Sequence, residues 1–291
     1  KAALSDAVKQ CKTIALYETC SLTTINDVTP HHINVTLSDK KAISGKLLVG
    51  ADGRHSVTRG LCGIKVWETD YGQSAITCFI DHTKDHNDTS TEFHRAGGPF
   101  TLVPCPKHNE YYRSSVVWVE KTEDAEDIIK LAKHDFKSAL QKQTHDCLGD
   151  IKSASAPFMF PLKALRSKSI TAERTALIAE AAHVMTPLGA QGLNLSLRDA
   201  HALYQAIYNA AKLGQDIGTG ATLNIYEKAR DTDINARVFG THGLNKLVSN
   251  HSSILRYVRH SGLKALRAND GLRRLAMQLG MTGEAFSKSG Q

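Results

Sequence analysis

Two short apolar segments, each running into an acidic residue, constrain the fold of this chain most. Residues 46–53 read KLLVGADG, and residues 174–182 read RTALIAEAA. Continuous apolar runs of this length are typical of strands buried on both faces, as in the sheets of α/β proteins. We therefore expect an α/β fold in which two buried strands deliver Asp52 and Glu180 to their ends.

The first segment places Asp52 and Gly53 at the C-terminal end of its strand. Gly53 permits a positive φ in the turn, and Ser56 is placed to cap the short helix that follows. Because open α/β sheets bind ligands outside the C-terminal ends of their strands, this turn is a candidate nucleotide site. An ordinary strand, turn and helix without a ligand remains an alternative for this segment.

The second segment places Glu180 at the end of its strand and continues into a loop with Pro187, Gly189 and Gly192. Glycines let the backbone approach a flat ligand closely. A helix is predicted to begin near Gly192, and its N–H groups and positive dipole end suit anionic charge on a bound cofactor. This combination is more specific than the first segment alone.

The rest of the pattern predicts further strands and several helices. Strands are predicted at 31–39, 71–82, 99–105 and 110–119. Helices are predicted at 1–10, from an N-cap at Thr122 through Leu140, from about Leu193 to a stop at Gly214, and beyond Asn224 with breaks near Gly243, Gly262 and Gly271.

Together the two segments resemble the second and third cofactor motifs of the class A FAD-dependent monooxygenases. The similarity lies in the Asp-Gly pair at 52–53 and in AEAAHVMTPLGAQGLN at 179–194. Within that class the chain is most similar to the ubiquinone-biosynthesis (2-polyprenylphenol) hydroxylases. Supporting stretches are DYGQSAI at 70–76, GGPFTLVP at 97–104 and SSVVWV at 114–119.

The resemblance implies a fold, a reaction and cofactors. The fold is α/β (α+β): a partial FAD/NAD(P)-binding Rossmann-like domain with an inserted mixed β-sheet substrate domain and C-terminal helices. The implied segments are 1–65 (partial FAD-binding), 66–165 (substrate-binding sheet), 166–215 (returning FAD-binding segment) and 216–291 (helical). The implied reaction uses FAD, NAD(P)H and O₂, through a flavin C4a-hydroperoxide, to hydroxylate a polyprenylated phenol.

The resemblance also implies which residues bind the cofactor, although it assigns no catalytic residue. Glu180 is expected to hydrogen-bond the ribityl chain of FAD. The loop and helix start are expected to face the pyrophosphate and the flavin pyrimidine edge, and Asp52 and Gly53 the pyrophosphate and reductant side, with Arg59 nearby. The full set is Asp52, Gly53, Arg59, Glu180, Pro187, Gly189, Gln191, Gly192, Leu193 and Asn194.

Two features depart from the family pattern. Ala179-Glu180 stands where the family usually has Gly-Asp, and the extra methylene lengthens the side chain by about 1.5 Å. We expect the local backbone to compensate for this reach. The chain also has no strand followed by Gly-x-Gly-x-x-Gly, the pattern that receives ADP phosphates, so we expect it to lack the AMP-binding part of the FAD domain.

Other chemistry-bearing residues have simpler interpretations. His183 is more typical of a packing or hydrogen-bonding histidine than of a base. The pairs His31–His32 and His82/His86 have no companion cluster, and the six cysteines form no Cys-x-x-Cys pair, so no metal site is predicted and free thiols are expected. Three aromatic residues are expected to pack on a sheet face, with a place beside the flavin as the alternative: Tyr111, Tyr112 and Trp118.

Charge is concentrated in the C-terminal part of the chain. The formal net charge is +7, and residues 251–291 hold seven basic and two acidic side chains. Apolar residues such as Ile254 and Leu255 alternate with the arginines, a pattern typical of helices at a lipid surface. A solvated charged face is the alternative. We expect a membrane surface as a partner of this region rather than nucleic acid.

These expectations favour a cytoplasmic enzyme that associates peripherally with the inner face of the membrane, with other ubiquinone-biosynthesis proteins as candidate partners. No run of apolar residues is long enough for a transmembrane helix. Two alternatives remain open. The first is a non-catalytic remnant that keeps the fold without holding FAD, and the second is a class A hydroxylase of a small soluble phenol.

Overall fold

The computed structural model describes residues 2–95, 97–187, 191–249 and 268–274. The chain divides into two compact units. The first unit contains Lys1–Trp67, Ser167–His183 and Leu193–Thr232. The second unit contains Glu68–Arg166, Val184–Gly192 and Asp233–Gln291.

The described elements are runs of consecutive strands separated by one or two helices. The helices are α1 (Ala2–Gln10), α2 (Val57–Leu61), α3 (Thr122–Ile129), α4 (Lys133–Gln143), α5 (Gly192–Lys212) and α6 (Gly220–Ser249). The strands are β1 (Leu22–Val28), β2 (Ile33–Leu37), β3 (Ala42–Gly45), β4 (Leu48–Gly50), β5 (Val66–His82), β6 (Thr91–His94), β7 (Pro99–His108), β8 (Tyr111–Lys121), β9 (Ile151–Ala154), β10 (Phe158–Ser167), β11 (Thr171–Ala172), β12 (Thr175–Leu177) and β13 (His183–Val184).

The first unit contains two small sheets. Strands β1, β2 and β3 form an antiparallel sheet in that order. The other sheet has the order β11-β12-β4, and β12 pairs with β4 in parallel, with Thr175 opposite Leu48 and Leu177 opposite Gly50. The two apolar segments of the sequence are therefore neighbouring parallel strands, as the predicted α/β class requires.

Gly50 allows α2 to lie directly against this strand pair. A Cβ atom at Gly50 would lie 2.8 Å from Cδ2 of Leu177 and 2.9 Å from Cβ of Thr58. Real Cβ atoms do not approach other atoms this closely, so a larger residue would push the strands and the helix apart. The small size of Gly50 thus determines how closely the Asp52 turn can approach β12.

The second unit is built on a large sheet with the order β13-β10-β5-β8-β7-β6. Strand β9 pairs with the C-terminal end of β5. Its core contains buried apolar side chains from the sheet and from α4, among them Ile76, Ile80, Phe100, Val116, Trp118 and Leu140. The rings of Phe100 and Trp118 meet edge to face at 5.7 Å between centroids. Trp118 is 3% exposed, in agreement with the packing interpretation.

Several predicted element bounds were wrong. The helix predicted from Thr122 to Leu140 is two helices, because Ala132 adopts an extended conformation before α4. The predicted N-cap at Thr122 is inside α3, and its hydroxyl lies 3.1 Å from Ser74 Oγ instead. The strand predicted at 174–182 ends at Leu177, since Ala179 takes a positive φ and begins a 3₁₀ turn.

The C-terminal helix also differs from its prediction. Helix α6 passes through Gly243 without a break and ends at Ser249. Within the second unit this part of the helix is held by hydrogen bonds from Tyr71 to His242 and from Asn245 to Gln73, which outweigh the low helix propensity of glycine. Near Gly271 the helical conformation is interrupted at Asn269, whose Oδ1 accepts the Leu272 N–H, in agreement with the predicted break, and the break predicted near Gly262 lies outside the described residues. The stop at Gly214 is confirmed, with φ of +69° just after α5.

No helix in the described part of the chain has the length and apolar character needed to span a membrane. The six cysteines are free thiols. Burial raises the pKa of the Cys78 thiol to about 12.

Candidate functional site

The turns that follow β4 and β12 lie at the same edge of the first unit. The two strands are parallel neighbours, and the backbone N–H of Ile178 donates to the carbonyl of Gly50 at 2.9 Å. Their C-terminal ends therefore meet, and the Asp52 turn and the Glu180 turn (Ala179–Ala181) continue from adjacent positions. This is the edge where α/β sheets bind ligands.

Asp52 organises the first turn. Its carboxylate accepts hydrogen bonds from Ser56 Oγ at 2.5 Å, from Thr58 N at 2.9 Å and from Thr58 Oγ1 at 3.0 Å. Partial burial alone would raise the pKa of Asp52, but these hydrogen bonds outweigh it and lower the pKa below its ordinary value. Asp52 is thus a carboxylate that shapes the turn at the start of α2.

The local geometry predicted for this turn is confirmed. Gly53 has a φ of +80°, and the side chain of Ser56 accepts a hydrogen bond from Arg59 N as the N-cap of α2. A Cβ atom built at Gly53 would meet nothing within 4 Å, so the space beside the turn is open.

Glu180 is the accessible acid of the site. Its side chain is 52% exposed, and Oε2 lies 3.8 Å from Nε of Arg54. Such a half-exposed carboxylate can accept hydrogen bonds from ligand hydroxyl groups. Arg54 was not among the predicted site residues, although it directly follows the Asp-Gly pair and its position there was the available signal.

Arg59 joins the two turns through the backbone. Its Nη1 donates to the carbonyl of Ala181 at 2.9 Å, and its Nη2 donates to the carbonyl of Arg54 at 2.8 Å. Two of its donors are therefore used to hold the Asp52 and Glu180 turns at a set separation. Four predicted residues meet at this edge: Asp52, Gly53, Arg59 and Glu180.

The predicted loop residues fall on both sides of the unit boundary. Pro187, Gln191 and Gly192 belong to the second unit, where Gln191 Oε1 accepts a hydrogen bond from Arg237 Nη1 at 2.7 Å. Leu193 and Asn194 belong to the first unit, and Leu193 is 71% exposed. Helix α5 begins at Gly192 as predicted, and Gly189 lies outside the described residues.

The histidines set aside in the sequence have hydrogen-bonding roles. His183 is 3% exposed and its Nε2 lies 2.6 Å from Asp199 Oδ2. His82 is buried between the carbonyl of Lys84 and the hydroxyl of Ser114, at 2.9 Å each, and burial lowers its pKa. Among the residues that the structure describes, no cluster of His, Cys, Asp or Glu is arranged to hold a metal ion.

A separate cavity of about 330 Å³ opens between α5 and α6 in the first unit. Its lining side chains are apolar or uncharged, namely Ala202, Gln205, Ala206, Asn209, Ala210, Leu213, Gln215, Ile225 and Ala229. None of them is titratable at neutral pH, so this cavity offers no acid–base chemistry. The Asp52–Glu180 edge is the better candidate.

The residues at this edge fit the polyol part of a nucleotide cofactor. Glu180 supplies an exposed acceptor, and the space beside Gly53 is open. Open α/β sheets bind ligands at the edge where parallel strands end in such turns. Residues 14–238 match the family described as the FAD binding domain, and the chain belongs to that family, the class A flavoprotein monooxygenases.

Curated relatives agree with this membership. The chain is 32% identical over 249 residues to the ubiquinone hydroxylase UbiL of Rhodospirillum rubrum, with 86% of this chain and 57% of the relative covered. It is 34% identical over 285 residues to the Synechocystis protein slr1300, with 97% and 67% covered. It thus spans about three-fifths to two-thirds of these relatives' lengths.

The fold is similar to that of PqsL, a probable FAD-dependent monooxygenase from Pseudomonas aeruginosa. The TM-score is 0.73 at 20% identity, with 86% of this chain and 69% of that chain covered.

Proposed function

We propose that this chain is the substrate-binding and returning FAD-binding part of an aromatic monooxygenase that hydroxylates a polyprenylated phenol in ubiquinone biosynthesis. The observation that carries the proposal is the parallel pairing of β4 with β12, which brings the Asp52 and Glu180 turns to one edge. Similarity to UbiL supports the substrate class. We also propose that the chain is divided into the segments 1–65, 66–165, 166–215 and 216–291, with the roles given above.

In this proposal each group of residues has its own role. Glu180 accepts hydrogen bonds from the ribityl hydroxyls of FAD, and Asp52 shapes the turn that places Gly53 beside the pyrophosphate. Arg59 sets the separation of the two turns. The loop with Pro187, Gly189 and Gln191 and the start of α5, with Gly192, Leu193 and Asn194, face the pyrophosphate and the flavin pyrimidine edge. Bound FAD, reduced by NAD(P)H and reacting with O₂, supplies the oxygen-transfer chemistry.

The first test is binding of FAD to the purified chain. We expect added FAD to bind with a perturbed visible spectrum and quenched fluorescence. NAD(P)H oxidation by the FAD-loaded chain is then compared with prenylated and unprenylated phenols. Stimulation by the prenylated phenol alone supports the proposal. Stimulation by the unprenylated phenol favours a hydroxylase of small phenols. If the chain does not bind FAD, this result favours a non-catalytic remnant of the fold.

A membrane surface is proposed as a second partner. The basic segment 251–291 lies mostly outside the described residues, but Arg273 and Arg274 are exposed in a helical turn. Each basic residue near an anionic lipid surface contributes about 1 kcal/mol. We expect co-sedimentation with vesicles that contain phosphatidylserine and weaker binding as salt increases. Equal sedimentation with neutral and anionic vesicles would contradict this proposal.

A further inference from the structure

One buried carboxylate connects the Glu180 turn to the two long helices. Asp199 lies in α5 and is 0% exposed. Its Oδ2 is 2.9 Å from Ala179 N and 2.6 Å from His183 Nε2, and its Oδ1 is 2.8 Å from Arg230 Nε. Because a carboxylate only accepts hydrogen bonds, all three nitrogen atoms act as donors. Asp199 thus holds the first residue of the turn that carries Glu180 and also His183, two residues after the turn.

Ala179 is the part of this turn that needs to be held. Its φ is +56°, in the left-handed region, where an L-residue with a Cβ atom is strained. The conformation at position 179 sets the direction in which the next residue, Glu180, leaves the turn. If the Ala179 N–H lost its acceptor, the backbone at Ala179 would lower its conformational free energy by leaving this region. The Glu180 carboxylate would move with it.

We propose that Asp199 is a positioning residue. By accepting the Ala179 N–H it keeps the turn in the left-handed conformation, and it thereby aims the Glu180 carboxylate at the hydroxyl groups of the cofactor. His183 and Arg230 hold the Asp199 carboxylate in place from β13 and α6. This inference rests on the proposed function for the identity of the ligand, FAD, but the conformational role belongs to the chain alone.

The substitution Asp199→Asn tests the role with little change of shape. Donors lie against both oxygens, so the new NH₂ group faces an N–H donor whichever way the amide is turned. We expect the dissociation constant for FAD, measured by fluorescence quenching, to increase by about tenfold or more, since the Ala179 N–H then has at best a neutral amide oxygen as its acceptor in place of a charged carboxylate.

The double variant Asp199→Asn, Ala179→Gly separates positioning from general stability. Glycine adopts a positive φ without strain, so the turn no longer depends on Asp199 to the same extent. We expect the double variant to recover about fivefold of the FAD affinity lost in Asp199→Asn. A merely structural role for Asp199 predicts no recovery, because the neutral amide replaces the carboxylate beside His183 and Arg230 in both variants.

The matched control is Asp6→Asn, the same chemical change on an exposed residue of α1 in the same unit. It is expected to bind FAD as the unsubstituted chain does. Asp199→Asn protein that is folded by near-UV circular dichroism and binds FAD normally would overturn the proposal. So would a double variant that binds no better than Asp199→Asn.

A measurement without ligand tests the same role in the unsubstituted chain. Amide hydrogen exchange of Ala179 is expected to be at least about 100-fold slower than in an unprotected peptide, because its N–H is held by a buried acceptor. Unprotected exchange at Ala179 would overturn the positioning role, even if Asp199→Asn fails to fold. Absence of FAD binding with a protected Ala179 amide would instead count against the proposed function alone.

Discussion

Replacing Glu180 with glutamine is expected to increase the dissociation constant for FAD by about 10- to 100-fold. The glutamate side chain is 52% exposed at the edge where the Asp52 and Glu180 turns meet, and in the proposed complex its carboxylate accepts hydrogen bonds from the ribityl hydroxyls of FAD. A neutral amide accepts more weakly and turns an NH₂ group toward the polyol. Fluorescence quenching of added FAD measures the change directly.

Two further variants test whether this effect is specific to position 180. Glu123→Gln makes the same change on an exposed residue of α3 and is expected to leave FAD binding unchanged. Glu180→Asp restores the acid usual in the family and is expected to change the affinity by less than about tenfold, since the turn already accommodates the longer side chain. An aspartate variant that gains orders of magnitude in affinity would show that the backbone does not compensate.

The meeting of Asp52 and Glu180 could be anticipated from local features of the sequence. Each segment carries an apolar run, an acidic residue and a turn signal, and the family resemblance relates the two. The positive φ of Gly53, the Ser56 cap and the helix start at Gly192 follow from the chemistry of single residues. These features depend on neighbours in the chain, which is why sequence patterns predict them.

The contacts that hold the site together could not be anticipated in this way. Asp199 is 20 residues from Ala179 and 31 from Arg230, and nothing in the helical pattern marks its carboxylate as buried. Arg59 reaches the carbonyl of Ala181 across 122 positions. Such pairings depend on how the strands and helices pack, so only the structure identifies them.

The errors in element bounds have the same origin. The periodicity from Thr122 to Leu140 is continuous, yet Ala132 is extended because both halves pack separately on the sheet of the second unit. Conversely, α6 continues through Gly243 because hydrogen bonds at His242 and Asn245 hold this part of the helix. Tertiary contacts outweigh local propensity in both cases.

Replacing Arg174 with methionine is expected to lower the free energy of unfolding by about 3–5 kcal/mol, because it leaves a buried acceptor network without its cation. The Arg174 side chain is 3% exposed. It donates to the carbonyl of Thr29 at 2.9 Å and to that of Lys46 at 2.7 Å, and it also bonds the carbonyl of Pro30 and the carboxylate of Asp216. A urea unfolding curve measures the loss.

The same pair makes stability depend on pH. Hydrogen bonds from Arg174, and then from the backbone N–H of Gly218, lower the pKa of Asp216 from 3.8 to about 2. A lowered pKa in the folded state contributes stability above pH 4, and this contribution is lost as the pH falls toward 2. In Arg174→Met the pKa of Asp216 is expected to return toward its ordinary value, so Asp216 contributes less to the acid-induced loss of stability, while the Gly218 N–H bond remains.

The control for Arg174→Met is Lys168→Met, which removes the same charge from an exposed residue of the first unit. Because Lys168 contributes only its backbone to the fold, through an N–H bond to the carbonyl of Lys65, we expect a change within about 0.5 kcal/mol. Equal unfolding midpoints for the two variants would contradict a structural role for Arg174.

The measurement matters for the candidate site because Arg174 comes directly before β12, and the carbonyl of Arg174 accepts the Leu48 N–H at the start of the β4–β12 pair. Loss of the guanidinium therefore loosens the end of the strand pair opposite the Asp52 and Glu180 turns.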